Sequence, residues 1–280
     1  MRVQLACHTN SFGRFGPKGA IEHLKEVGLD SIELLIHTEG VKSNYGEQPL
    51  LTENSSVQDI KDVEALLKKN GIKLAAVSVL GGNPLHEKDR EILFKKLEIA
   101  GRLGVELVSG PAGVAANDEE RSQLIKILRQ IGDICAKKKM IYCCDTLPGL
   151  CVNHRTMAKT IEDVRHPSVK LAFDTGNLSF FNPEPIVEVA LAKVCQHVRL
   201  IRLKDSMGEQ SQWYFPALGY GGSVDFLRVL QLMRDCGYKG PYVISIDGLK
   251  REEQLPLVEH QNRLRDSLES LQDCGYFAQA

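Results

Sequence analysis

Eight times along the chain a short run of residues, apolar on both faces, gives way to a longer segment whose apolar positions recur with a helical period. The runs are VQLAC (3–7), DSIELLI (30–36), KLAAVSVL (73–80), VELVSG (105–110), MIYCCD (140–145), VKLAFD (169–174), HVRLIRLKD (197–205) and PYVISID (241–247). Helical segments fall at 18–28, 55–71, 85–104, 118–138, 154–165, 184–195, 223–236 and 253–272. In 55–71, Ser55 or Ser56 can cap the start, Ile60, Val63, Leu66 and Leu67 make one face, and Gly71 supplies the stop.

Strands buried on both sides and separated by crossover helices must run parallel. Eight such units in 280 residues fit a closed (β/α)8 TIM barrel, a single domain over 1–280, better than an open sheet. An open doubly wound sheet is the alternative, but no G-x-G-x-x-G turn follows the first strand. Function in such a barrel sits at the C-terminal ends of its strands. Those ends carry Cys7 and His8, Glu33, Ser78, Ser109, Cys144 and Asp145, Asp174, Arg202 with Lys204 and Asp205, and Ser245 with Asp247.

A formal net charge of −1 gives no steering toward nucleic acid or an anionic membrane, so a small neutral or weakly anionic ligand is the expected partner. The first residues lack the basic segment and apolar run of a signal peptide, and no stretch reaches the length of a membrane span. The eight cysteines are scattered over strands and helices rather than arrayed in loops, which reads as a reduced, cytoplasmic protein. A homo-oligomer stays open.

The segments GLDSIELL, VKLAFDTGNL, VRLIRLKDSMG, ALGYGGSVDF and GYKGPYVISID resemble, in order and spacing, the xylose isomerase-like TIM-barrel family of sugar isomerases and epimerases. That resemblance implies a divalent metal held by a glutamate on strand five, an aspartate on strand six, a histidine on strand seven and a glutamate on strand eight. It implies proton transfer beside a carbonyl, with the two glutamates as acid and base. Carried over position by position, the ligands land on Cys144, Asp174, Arg202 and Ser245, and only Asp174 keeps its type.

An arginine cannot ligate a cation and stays protonated, so it repels an incoming ion by several kcal/mol, on the order of 4 at an effective dielectric of about 20. No cofactor is therefore expected; Mn, Mg or Zn on Asp174, Cys144 and Asp145 is the alternative. Asp247 lies two residues past Ser245, about 6.6 Å along a strand, and Asp145 points to the face opposite Cys144.

Arg202, facing the lumen from an apolar strand, needs a partner, and Asp174 on the adjacent strand is the expected one. Asp174 either handles a proton or ends its strand as a turn former. The catalytic candidates are Asp174, Asp145, Arg202 and Lys204. The candidates for substrate contact are His8, Glu33, Asn177, Asp205, Trp213, Ser245 and Asp247. Trp213 stands with Tyr214 and Phe215 in the long loop 206–222, composed like a lid over a ligand.

The expected activity is that of an isomerase or epimerase on a polyhydroxylated sugar, sugar phosphate or sugar acid, with the family's metal site lost. A lyase or dehydratase on the same barrel is the first alternative, and a catalytically silent sugar-binding protein the second.

Overall fold

The computed structural model describes residues 3–249 and 255–277. Eight parallel strands close into a barrel in chain order: β1 (Leu5–His8), β2 (Ser31–Leu35), β3 (Lys73–Ser78), β4 (Leu107–Gly110), β5 (Ile141–Asp145), β6 (Val169–Asp174), β7 (Val198–Leu203) and β9 (Tyr242–Ile244). Each lies on one of the runs expected to be strands. Two further short strands, β8 (Tyr214–Phe215) and β10 (Gly248–Leu249), pair antiparallel above the barrel's C-terminal end.

The outer layer comprises α1 (Gly16–His23), α2 (Val57–Asn70), α3 (Glu87–Arg102), α4 (Asp118–Lys137), α5 (His154–Val164), α6 (Thr175–Phe181), α7 (Val187–Val194), α8 (Phe226–Asp235) and α9 (Leu257–Asp273). Local chemistry sets their ends. Ser56 and Asp59 form a reciprocal capping box on α2, and Gly71 ends it in the left-handed region at φ 61°. Asn117 and Asn153 cap α4 and α5 through their side-chain oxygens. The expected last helix starts at 253; residues 253 and 254 lie outside the described residues.

Most of the core fills the space between barrel and helices, where Leu97, Leu128, Ile131, Tyr142, Phe173, Leu203 and Met233 are all buried. A smaller cluster plugs the barrel itself: Ala6, Ala76, Leu107, Cys143, Ala172, Leu200 and Val243. Side chains alternate along a strand, so residues two positions further on face the same lumen. These are His8, Ser78, Ser109, Asp145, Asp174, Arg202 and Ser245. An apolar floor with a polar storey above it follows from this alternation alone.

The cysteines depart from expectation. Cys195, directly after α7, and Cys236, the C-cap of α8, form a disulfide, while Cys7, Cys135, Cys143, Cys144, Cys151 and Cys274 are free. The pair is separated by 41 residues and meets only because α7 packs on α8. No spacing motif announces such a contact. Among the described residues no helix is long and apolar enough to cross a membrane. Thiol titration of unfolded, unreduced protein should count the six free cysteines, rising to eight after reduction; eight before reduction would refute the pairing.

Candidate active site

Parity decides what enters the lumen. Cys143 lies in the floor, so Asp145 faces inward and Cys144 between them faces the helices, packed in the outer core next to Cys151. This corrects the expectation for strand five: Asp145, not Cys144, is its chemical contribution to the lumen, and a metal set of Asp174, Cys144 and Asp145 cannot form there.

Arg202 is the hub. Its Nε and Nη2 donate to the two oxygens of Glu33 at 2.8 and 2.6 Å, a bidentate fork. The same Nη2 also donates to Ser109 Oγ at 2.7 Å, and Nη1 donates to Asp145. Ser109 in turn donates to Glu33 at 2.6 Å. Four of the five guanidinium N–H groups are thus engaged, in surroundings where Glu33, Asp145 and Arg202 are 0, 1 and 4% exposed.

The expected Arg202–Asp174 pair is not among these contacts, although the two residues are in register on adjacent strands. An arginine side chain is long enough to cross the lumen toward β2 and β5, and a carboxylate aligned for two parallel hydrogen bonds outcompetes a nearer one.

The electrostatics follow the contacts. Burial raises the Glu33 carboxyl, but the guanidinium beside it more than offsets this and brings it to about 2. Burial also raises Asp145, and here it prevails, because Asp145 has a single guanidinium contact and the negative Glu33 nearby. Arg202 itself is held above its ordinary range by Asp145 and Glu33 despite burial. His8 accepts from the Asn10 amide at 3.2 Å, and burial lowers its pKa to about 4, which leaves it neutral.

Asp174 occupies the edge of this cluster. Its Oδ1 accepts from the Asn177 amide at 2.8 Å and caps α6, while its own amide donates to Thr146 Oγ1 at 3.0 Å. Burial raises its pKa to about 6, against the opposing pull of Lys204 and Arg202. The carboxylate is therefore both the end of a strand and a group that titrates near neutrality.

Lys204 forms the second buried ion pair, with Asp247. Its Nζ also donates to Asn177 Oδ1 at 3.2 Å and lies 3.9 Å from the centre of the Phe215 ring. Burial pushes the Asp247 carboxyl up, but Lys204 and a hydrogen bond from Tyr45 outweigh it, and the group lies below its ordinary value. Ser245 is buried next to this pair, its amide donating to Leu203 O at 3.0 Å.

Trp213 packs edge-on to Phe180 and Phe215, with its indole Nε1 buried and unpartnered among the described residues. Strand β8, within the same loop, seats this cluster on β10. Asp205, expected to meet substrate, instead shapes the loop above it. Its carboxylate accepts from the amides of Ser206, Gly219 and Val224 and folds the aromatic loop back on itself. Two participants escape sequence reasoning. Ser109 is one strand end among many, with nothing in the sequence to single it out, and Tyr45 comes from a loop with no motif around it.

A family profile described as "Xylose isomerase-like TIM barrel" matches residues 21–274. The chain belongs to that family. It is 25% identical over 163 residues to L-ribulose-5-phosphate 3-epimerase UlaE of Salmonella typhi, a match spanning 56% of this chain and 55% of the relative. In three dimensions it resembles a xylose isomerase domain protein from Planctomyces limnophilus, with a TM-score of 0.74 and 17% identity over 98% of both chains. It also resembles a D-psicose 3-epimerase crystallised with D-fructose, with a TM-score of 0.76 and 13% identity over 97% of this chain and 99% of the other.

The divalent metal that family membership implies does not fit this arrangement. The guanidinium of Arg202 occupies the carboxylates of Glu33 and Asp145, and among the described residues no three His, Cys, Asp or Glu side chains group to hold an ion.

Replacing Arg202 by Met should strand two buried carboxylates and cost about 3–5 kcal/mol, measured by urea unfolding at pH 7. The acid limb is also defined. Glu33 is held at about 2, below its ordinary 4.5, so its contribution is fully present above pH 4.5 and is lost as pH falls toward 2. The Arg202→Met variant should lose this part of the acid transition.

Proposed function

We propose that the protein is a sugar isomerase or epimerase that moves a proton at the carbon beside a carbonyl and uses fixed protein cations where its relatives would use a metal ion. The observation that carries this reading is the division of labour among the lumen carboxylates. Glu33 and Asp145 are consumed by Arg202, whereas Asp174 forms no ion pair among the described residues and has a pKa raised to about 6. A general base is most effective with a pKa near the working pH.

In this mechanism Asp174 removes the proton. Negative charge then develops on the carbonyl oxygen, and Lys204 stabilises it, with the remaining Nη1 proton of Arg202 as a second donor. Lys204 follows β7, between β6 and β9, whereas the Arg202 guanidinium reaches across the lumen to β2 and β5. Asp174, which ends β6, and Asp247, which follows β9, therefore flank Lys204. Isomerisation is completed when Asp174 returns the proton to the neighbouring carbon; epimerisation needs return at the other face, and Asp247, ionised beside Lys204, serves there only after taking a proton from solvent. Asn177 and His8 supply hydrogen bonds to hydroxyls, and the Trp213 and Phe215 rings cover the apolar face of the sugar and keep water from the enolate.

Sugar epimerases among the relatives, one for a pentulose phosphate and one for a ketohexose, support this choice of substrate class. Neither selects the sugar.

The test is solvent deuterium exchange into a panel of ketoses, sugar phosphates and sugar acids, followed by product analysis. Wild-type protein should exchange the proton beside the carbonyl, insensitive to chelator, with a rate that rises as pH passes through about 6 and Asp174 ionises. Asp174→Asn should lower that rate by about 10²–10⁴-fold. Loss of water from the product points to elimination, and sugar binding with no exchange points to a silent binding protein; either result overturns the proposal, as does a stoichiometric metal required for activity.

A further inference from the structure

Beside the charged lumen, the C-terminal face carries a cleft of about 520 Å³ whose walls include Leu35, Val41, Tyr45, Leu80, Gly81 and Ile92. It is continuous with the ring in two places. Leu35 follows Glu33 by two residues and so shares its strand face. Tyr45, one wall of the cleft, hydrogen-bonds Asp247 on the other side.

The walls are fixed by buried polar ties. Lys96 on α3 is fully buried, and its ammonium is held by neutral oxygens. It donates to Thr38 Oγ1 at 2.8 Å and to the Leu80 carbonyl at 2.6 Å, and so clamps the loop after β2 to the segment after β3. A buried ammonium is costly to place, and these two bonds fasten opposite sides of the cleft. Further along the same loop His37 Nε2 pairs with Glu47 at 3.0 Å, and Ser43 also binds Glu47. His37 Nδ1, in the same wall, is buried without a partner among the described residues. Apolar walls interspersed with polar side chains, Asn10, Lys42, Asn44 and Asp89 among them, give this concavity the make-up of a small-molecule subsite.

We propose that this cleft receives an apolar substituent, alkyl or aryl, on the polyhydroxylated ligand, so that the ligand is a substituted sugar that keeps a carbonyl, such as a sugar ether or a glycoside with a ketone on its ring, rather than an unsubstituted one. The inference rests on the sugar-site reading above. The hydroxylated ring meets the charged and hydrogen-bonding groups of the lumen, while the substituent is removed from water against Leu35, Tyr45, Leu80 and Ile92. A free sugar would leave these walls wet.

Calorimetric titration with matched methyl and 4-nitrophenyl glycosides, each carrying a ring ketone, across a panel of hexoses tests this. Wild-type protein should bind the nitrophenyl member of its preferred pair at least tenfold more tightly. Gly81→Leu should reduce that advantage below twofold and leave the methyl glycoside unaffected; the first added carbon meets nothing closer than 3.9 Å and the residue has no left-handed φ, so the backbone accepts a side chain there. Val41→Asp, at a position 65% exposed at the mouth, should weaken the same advantage independently. Equal binding of both members overturns the apolar subsite and leaves the sugar site standing, as does an advantage that survives both substitutions. Failure to bind any member of the panel overturns both.

Discussion

A permanently charged guanidinium held inside a barrel dictates most of what surrounds it. Arg202 could not be buried alone, because an uncompensated ion in a low-dielectric interior costs several kcal/mol. The fold supplies Glu33 from β2, Asp145 from β5 and Ser109 from β4, three strands that do not neighbour β7. The clamp therefore ties distant staves of the barrel across its axis. It also occupies two carboxylates that would otherwise be open to a cation or a proton, and with Asp247 held by Lys204, Asp174 is left with a pKa raised to about 6.

The layer above the clamp is organised by a second ion pair of different character. Lys204 and Asp247 sit nearer the rim, beneath Phe215, and the loop that carries Phe215 and Trp213 is held in shape by Asp205. Gly222 lets this loop close, because a side-chain carbon there would collide with the Asp205 carboxylate. Loop geometry, aromatic cover and the lysine ion pair thus depend on one another. The buried Arg202 clamp supplies the floor beneath this assembly.

Much of the barrel was legible because burial on both faces and helical period are local properties, and they placed every barrel strand within a few residues. The strand ends were legible for the same reason, and nearly all the lumen groups stand among them. What failed was pairing and, at one strand, direction. Counting ligands by resemblance put Cys144 in the lumen, whereas the alternation from Cys143 gives that place to Asp145. Adjacency suggested Asp174 for Arg202, but the length of the arginine side chain let it reach a better-aligned carboxylate across the barrel. Asp205 looked like a substrate contact from its place at the rim, and the amides that claim it come from residues up to Val224.

The sequence by itself determined the architecture, the polar ring at one end and the presence of a cation where the family's resemblance implies a histidine. These follow from periodicity, from side-chain alternation and from the fixed charge of arginine, none of which requires knowledge of distance. Only the tertiary structure decided which carboxylates Arg202 consumes, that Cys195 meets Cys236, and that Lys96 reaches Thr38 and Leu80 to shape a cleft. Each is a contact between residues far apart in the chain. Such contacts are set by closure of the barrel and by side-chain reach, which no local pattern records.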